Sequence, residues 1–281
     1  MTKIGHLRPS GPGKVAADKP RRQSRFLKRY ILSSDGHDFI GRIFDLSVVG
    51  LNFSSYDEVE RYPDCKYALD VNDQMSALVR RVESLNLVGD LLWLEAPSGI
   101  AHKLPVSKYE WLVLSADVFL MRYISVVDCA SILVNEVYEC GLEAQKCSIG
   151  ALKKLAIPVK TIDILELMQS EQGEIRRERN ARFHHGRERG FSSDDLTFRS
   201  ASIYDHRAGG VSGTDQFGRK INMELFFREG LVELQRDFNS RCKILARSLD
   251  KLYDSLLGEF EGRFKPKFRS AVHDFGTRRS E

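Results

Sequence analysis

The sequence predicts an all-α protein, an antiparallel helical bundle built on two long helices, and three observations carry that expectation. Met223, Phe227, Leu231, Leu234, Phe238, Cys242, Leu245, Leu249, Leu252, Leu256 and Phe260 follow one another at steps of three or four, the period of one apolar stripe along a helix. Between residues 107 and 140 the apolar positions, from Trp111 to Val137, cover more than one stripe, as in a helix covered on several sides. The punctuation agrees: Ser107 is placed to cap the first helix and Gly141 to stop it, while Gly262 and Pro266 are placed to stop the second.

The rest of the chain is read in order around these two helices. Residues 1–25 are rich in Gly and Pro and carry Lys3, Arg8, Lys14, Lys19, Arg21, Arg22 and Arg25 against the single acid Asp18. They read as a disordered basic arm, either a solubilising tail or the seat of an anionic partner. Residues 26–104 form an N-terminal region of open fold. Asp35-Gly36 between two apolar, aromatic-rich runs fits a small β-hairpin, and the same residues fit short helices. Apolar residues from Met75 to Leu92 favour a helix over residues 73–95 ending near Gly89, followed by a loop marked by Pro97, Gly99 and Pro105.

The bundle proper is expected over residues 105–265. Ser148 caps a short helix that ends before Pro158, and Thr161 opens another carrying Ile162, Leu165 and Met168. Gly173 interrupts it, and the next helix runs through Ile175 and Arg179 to a stop at Gly186. Residues 187–220, with five glycines and no sustained period, read as one long loop. Residues 266–281 read as a frayed tail.

Composition bounds the function. The chain has 281 residues, 42% of them hydrophobic, and a net charge of +4, enough for one large core with or without an appendage. Its five cysteines form no CxxC pair, which fits free thiols in a reducing compartment and so a cytoplasmic address. Pro9, Pro12 and Pro20 fall where a secretory leader needs its apolar core. Asp117, Arg122, Asp128 and Glu136 break the most apolar stretch, so neither a membrane span nor a membrane partner is expected. The acids in that stretch are expected to be exposed, to pair along a groove of the bundle, or to line a cleft. Phosphate-cradling GxxxxGK[ST] and GxGxxG loops are absent, as is a GxSxG elbow, and no cofactor is expected. His102, His184, His185 and His206 with Asp205 show no metal-ligand spacing, so no metal is expected either.

Chemistry concentrates in Glu178-Arg179-Asn180-Ala181-Arg182-Phe183-His184-His185-Gly186. Five residues separate Arg179 from His184, which on a helix places them about 140° apart. With Gly186 ending the helix, the histidines are freed and the long arginine can curl round the last turn toward them. An imidazole titrates near neutrality and suits removal of the proton from a ribose 2′-hydroxyl. A guanidinium is a permanently charged fork for the phosphorane that follows, and the Asn180 amide can orient either group or the sugar. Asn directly after Arg makes the pattern far rarer by chance than the Arg-to-His spacing alone. Arg176, Arg182, Arg187 and Arg189 crowd the same stretch. They read either as an RNA-binding rim of phosphate contacts or as a solvated helix face balanced by Glu174, Glu178 and Glu188.

Arg179-Asn180-x-x-x-His184, late in a helical bundle and after a long apolar helix, resembles the R-polar-x3-H motif of HEPN domains. His185-Gly186 and the long helix beyond are similar to one bacterial branch of that superfamily. The resemblance covers residues 105–262. It implies an all-α homodimer in which two motifs form one composite cleft, acting as a metal-independent endoribonuclease on RNA. Arg179 and His184 are then the catalytic pair, Asn180 the intervening polar residue and His185 an accessory base. The resemblance also implies a toxin or phage-defence effector, with an antitoxin or regulatory protein as partner. Other members of the superfamily are non-catalytic modules, which keeps open an alternative in which the bundle binds a partner protein or nucleic acid.

Overall fold

The structure is a computed structural model that describes residues 28–33, 35–93 and 105–269, with side chains described as far as Phe264. The basic arm expected over residues 1–25, Pro97 and Gly99 of the expected loop, and the tail from residue 270 lie outside the described residues.

Among the described residues nine α-helices and one 3-10 turn follow in order: α1 Asp38–Ser47, the turn Val48–Asn52, α2 Tyr56–Val59, α3 Pro63–Leu92, α4 Lys108–Val137, α5 Ile149–Leu152, α6 Val159–Glu171, α7 Gly173–His185, α8 Asp195–Ala208 and α9 Met223–Arg269. Among the described residues the only β-type pairing is an isolated bridge between Thr214 and Lys220. Over the described residues the protein is an all-α, multi-helix bundle with no sheet. Its buried side chains, from Leu32 to Phe264, form one continuous hydrophobic core.

The serine caps behave as their chemistry predicts. The Ser107 hydroxyl accepts from the Glu110 N–H while the Glu110 carboxylate accepts from the Ser107 N–H, a reciprocal capping box at the start of α4. Ser148 caps α5 through the Ala151 N–H. Along α9, every residue of the stripe from Met223 to Phe260 is buried except Phe227, whose neighbour Phe226 is buried instead.

Several expectations are corrected. Asp35-Gly36 does not turn a hairpin. His37 accepts from the Phe39 N–H and opens α1, whose Phe39, Ile43 and Leu46 bury one helical face. Thus the apolar period in this run is helical once it has a core to face. α3 begins at Pro63, and Cys65, Tyr67, Ala68 and Val71 extend its buried face well upstream of Met75. The loop over residues 187–220 contains α8, capped by the Asp194 side chain, which accepts from Thr197, and held by buried Phe198 and Ala201. α9 continues through Gly262 and Pro266 to Arg269, and Phe264 remains buried beside Tyr67 and Phe260.

Helix directions also differ from the expected antiparallel pairing of the two long helices. α4 and α9 run parallel: Lys108 pairs with Glu224 at one end, Phe119 stacks on Phe238 at 3.8 Å in the middle, and Glu139 meets Arg263 at the other end. The antiparallel partner of both is α3. Its Tyr67 hydroxyl donates to the Val137 carbonyl at 2.8 Å, and Trp93 next to its end donates to Gln235 at 2.6 Å. The reason is the path between α4 and α9. α6 and α7 carry the chain back along α4, so that α9 starts beside the beginning of α4.

At that end the backbones come close. A Cβ on Gly230 of α9 would overlap Leu112 of α4 and sit 3.0 Å from the Phe191 Cβ, so the absence of a side chain there lets three segments meet.

Candidate functional site

α7 carries the motif, and its sequence explains how it is held. Ile175 is its only buried residue. A helix with so little apolar surface needs polar attachment. Gln172, at the corner between α6 and α7, is buried and donates from its side chain to the Tyr123 carbonyl at 2.7 Å. Further along, Arg176 reaches Asp128 at 3.5 Å and Arg182 reaches Asp117 at 2.7 Å, both acids of α4. These pairs make α7 antiparallel to α4, and they place Asp117 and Asp128 along the groove between the two helices.

The pairs continue into a chain of charges. Arg182 also lies 3.7 Å from Glu178, which lies 3.6 Å from Arg189. Arg189 in turn reaches Asp237 of α9 at 2.8 Å, and Asp237 accepts from Arg241 at 2.6 Å. Only 6% of the Arg182 side chain is exposed. Burial lifts the Asp117 carboxyl above its ordinary value against the pull of Arg182, with Glu178 and Glu188 adding to the rise. Burial works against the Arg189 cation, but its hydrogen bond and charge pairing with Asp237, with Glu178 and Glu233 nearby, hold its pKa above the ordinary value.

The last turn is closed by Gly186, left-handed at φ 61°, with the Arg187 N–H returning to the Ala181 carbonyl at 3.1 Å. That geometry strongly favours glycine. Just beyond, Phe191 is buried and donates its N–H to Asp195 at 2.7 Å. Tyr109 stands edge-on to both Phe191 and Phe198, and burial, with Asp195 and Glu188 nearby, pushes its phenol pKa up.

The structure therefore divides the residues singled out by sequence. Asn180, His184, His185 and Arg187 are exposed. Arg179 is half-buried, its Nε buried without a hydrogen-bond partner. Among the described residues no ion pair engages the Arg179 guanidinium. Arg176, Arg182 and Arg189 are engaged with acids of α4 and α9, so Arg182 faces inward and does not stand on a surface rim. Both histidines still lie within α7. They are not freed by the helix end, and the separation of about 140° between Arg179 and His184 persists within one chain.

Sequence reasoning expected Asp117 and Asp128 to pair along a groove, but missed the other partners of these arginines. In the sequence Glu178 reads only as balancing charge, and Asp237 belongs to no motif. Their signal was the i, i+4 spacing of Glu178 with Arg182 and of Asp237 with Arg241. An exposed apolar strip was also missed: Leu114, Val118 and Met121 share one face of α4, and Phe183 on α7 is 52% exposed. Among the described residues no group of three or more His, Cys, Asp or Glu side chains is placed to hold a metal ion. No described helix is long and apolar enough to cross a membrane.

Comparison of the chain with protein-family models, with curated proteins and with solved structures found no match.

Proposed function

We propose that this protein is a homodimeric, metal-independent endoribonuclease of HEPN type, with Arg179, Asn180 and His184 as its catalytic set. One observation carries the reading: Arg176 and Arg182 of this helix are tied to acids, whereas Arg179, half-buried and with its Nε unpartnered, forms no ion pair among the described residues. On the same helix Asn180, His184 and His185 face solvent. Arg179 and His184 diverge in one chain, so the reading requires a second copy. The exposed strip of Leu114, Val118, Met121 and Phe183 beside α7 supplies apolar surface for it.

In the composite cleft, His184 removes the proton from a ribose 2′-hydroxyl and the 2′-oxygen attacks the adjacent phosphorus. Arg179 stabilises the negative charge that builds on the phosphorane oxygens. The bond from phosphorus to the 5′-oxygen then breaks, and the leaving oxygen takes a proton from His184 of the partner subunit. The products are a 2′,3′-cyclic phosphate and a free 5′-hydroxyl.

The test is incubation of the purified protein with labelled single-stranded RNA in EDTA, with end-group analysis, beside His184→Ala and Arg179→Ala. Cyclic phosphate ends from the wild type, lost in both variants with helical circular dichroism unchanged, are the expected result. Cleavage that survives both changes overturns the reading. The divergence of Arg179 and His184 favours a second reading, a non-catalytic helical module that binds a partner protein or nucleic acid. Intact RNA throughout, with salt-sensitive binding that His184→Ala leaves unchanged, selects that second reading.

A further inference from the structure

The far end of the bundle, where α3 begins and α4 and α9 finish, carries an unusual surface. Phe44 at the end of α1, Val48 and Leu51 of the 3-10 turn and Tyr56 of α2 are all exposed, Leu51 to 85%. With Phe53, Val59 and Leu69 they line an apolar groove of about 560 Å³. Beside it lies a depression of about 570 Å³ lined by five carboxylates, Glu60, Asp70, Glu136, Glu139 and Glu143, and only two cations, Lys66 and Arg263. The two hollows share a wall, because Val59 and Leu69 line the first while their neighbours Glu60 and Asp70 line the second.

Both cations of the depression are already committed. Lys66 pairs with Asp70, and Arg263 pairs with Asp64 and Glu139. Burial, with Asp70 next, raises the Glu136 carboxyl above its ordinary value, as expected where acids crowd together. Glu139 is also the only described residue other than glycine with positive φ, at 48°, an uncommon conformation for a residue with a side chain. An apolar groove running into an acidic hollow matches a segment that sets apolar residues beside basic ones.

The chain contains such a segment. Residues 1–27 hold seven Lys and Arg against one acid, with Ile4, Leu7 and Val15 set beside Lys3, Arg8 and Lys14. The described backbone begins at Lys28, whose carbonyl accepts from Asn239 at 3.1 Å, and Arg29 pairs with Asp90 near the end of α3. From Asp90 to Leu69 is roughly 32 Å along the helix. An extended arm of this length reaches up to about 90 Å, so much of it remains to lie in the groove after crossing that distance.

We propose that the basic arm of residues 1–27 docks on this surface of its own chain, with apolar side chains in the groove and lysines and arginines over the acidic hollow. The test uses the full chain, a zero-length carbodiimide cross-linker and peptide mass mapping, on an equal mixture of ¹⁴N- and ¹⁵N-labelled protein. Lys3, Lys14 and Lys19 are expected to join Glu60, Asp70, Glu136, Glu139 or Glu143 within single-isotope pairs. Leu51→Ser, at an exposed position, is expected to lower that yield at least threefold with circular dichroism unchanged. The proposal is overturned if the arm lysines join mainly to other carboxylates or to none. It is also overturned if Leu51→Ser leaves the yield unmoved, or if mixed-isotope pairs give the groove to the arm of a second copy.

Discussion

Replacing Arg182 by Met tests the account of how α7 is held. Arg182 lies at the seam between α4 and α7, with Asp117 2.7 Å and Glu178 3.7 Å away and 6% of its side chain exposed. Methionine fills a similar volume but removes the charge, leaving Asp117 in the seam without a cation. Breaking a buried pair from one side costs about 3–5 kcal/mol. Here Asp117 keeps a quarter of its side chain in water and Glu178 keeps Arg189 at 3.6 Å. The expected loss is therefore smaller, about 2–3 kcal/mol at pH 7. Urea unfolding followed by circular dichroism measures it.

The pH dependence gives a second check. Asp117 already has a raised pKa in the folded protein, and losing Arg182 removes the pull that opposes burial. A carboxyl with a folded pKa above its unfolded value binds its proton more tightly when folded. The penalty of Arg182→Met is therefore full above that raised pKa and shrinks as pH falls through it toward the ordinary aspartate range. Adding Asp117→Leu should recover most of the loss at pH 7, since the stranded charge is then gone. A loss under about 0.5 kcal/mol, a loss equal at pH 7 and pH 4.5, or a double variant no better than the single would refute the reasoning.

Three further outcomes are expected. Gly230→Ala, which forces a methyl group into Leu112 and Phe191, should cost about 1–3 kcal/mol in the same urea titration. Ser107→Ala removes the capping box of α4 and should cost about 1 kcal/mol, with Glu110→Ala on top of it adding little because the two act as one cap. Burial pushes the Cys242 thiol up to about 12 and the Cys147 thiol up to about 11. Both should therefore resist iodoacetamide at pH 8 in the native protein and react once urea unfolds it, as mass spectrometry of the alkylated peptides will show.

What was legible in the sequence was local. Ser107, Ser148 and Gly186 act within one turn of themselves, so their roles follow from residue type and position. The α9 stripe was legible because a single period persists over many turns. Helix α1 was not, since Asp35-Gly36 and a short apolar run satisfy a hairpin and a helix equally. Only burial of Phe39 and Ile43 against α3 and α9 decides between them. α8 was masked by the glycines around it and depends on Asp194 and Phe198 finding partners far along the chain. The parallel course of α4 and α9 is set by the return path through α6 and α7, which no periodicity encodes. At the site, the residue types and the helix end at Gly186 could be anticipated. The pairing of Arg182 with Asp117 could not, because it depends on which helix lies alongside.

α7 fastens itself by one side, through Gln172, Ile175, Arg176 and Arg182, and leaves the opposite side to solvent. Attachment and presentation are thus written in different residues of the same thirteen-residue helix. Natural variation can rewrite Asn180, His184 and His185 without loosening the helix, and can tune the grip on α4 without touching what is displayed. Two histories of selection can run along one short segment, and each can be recovered separately by comparing substitutions on the two sides.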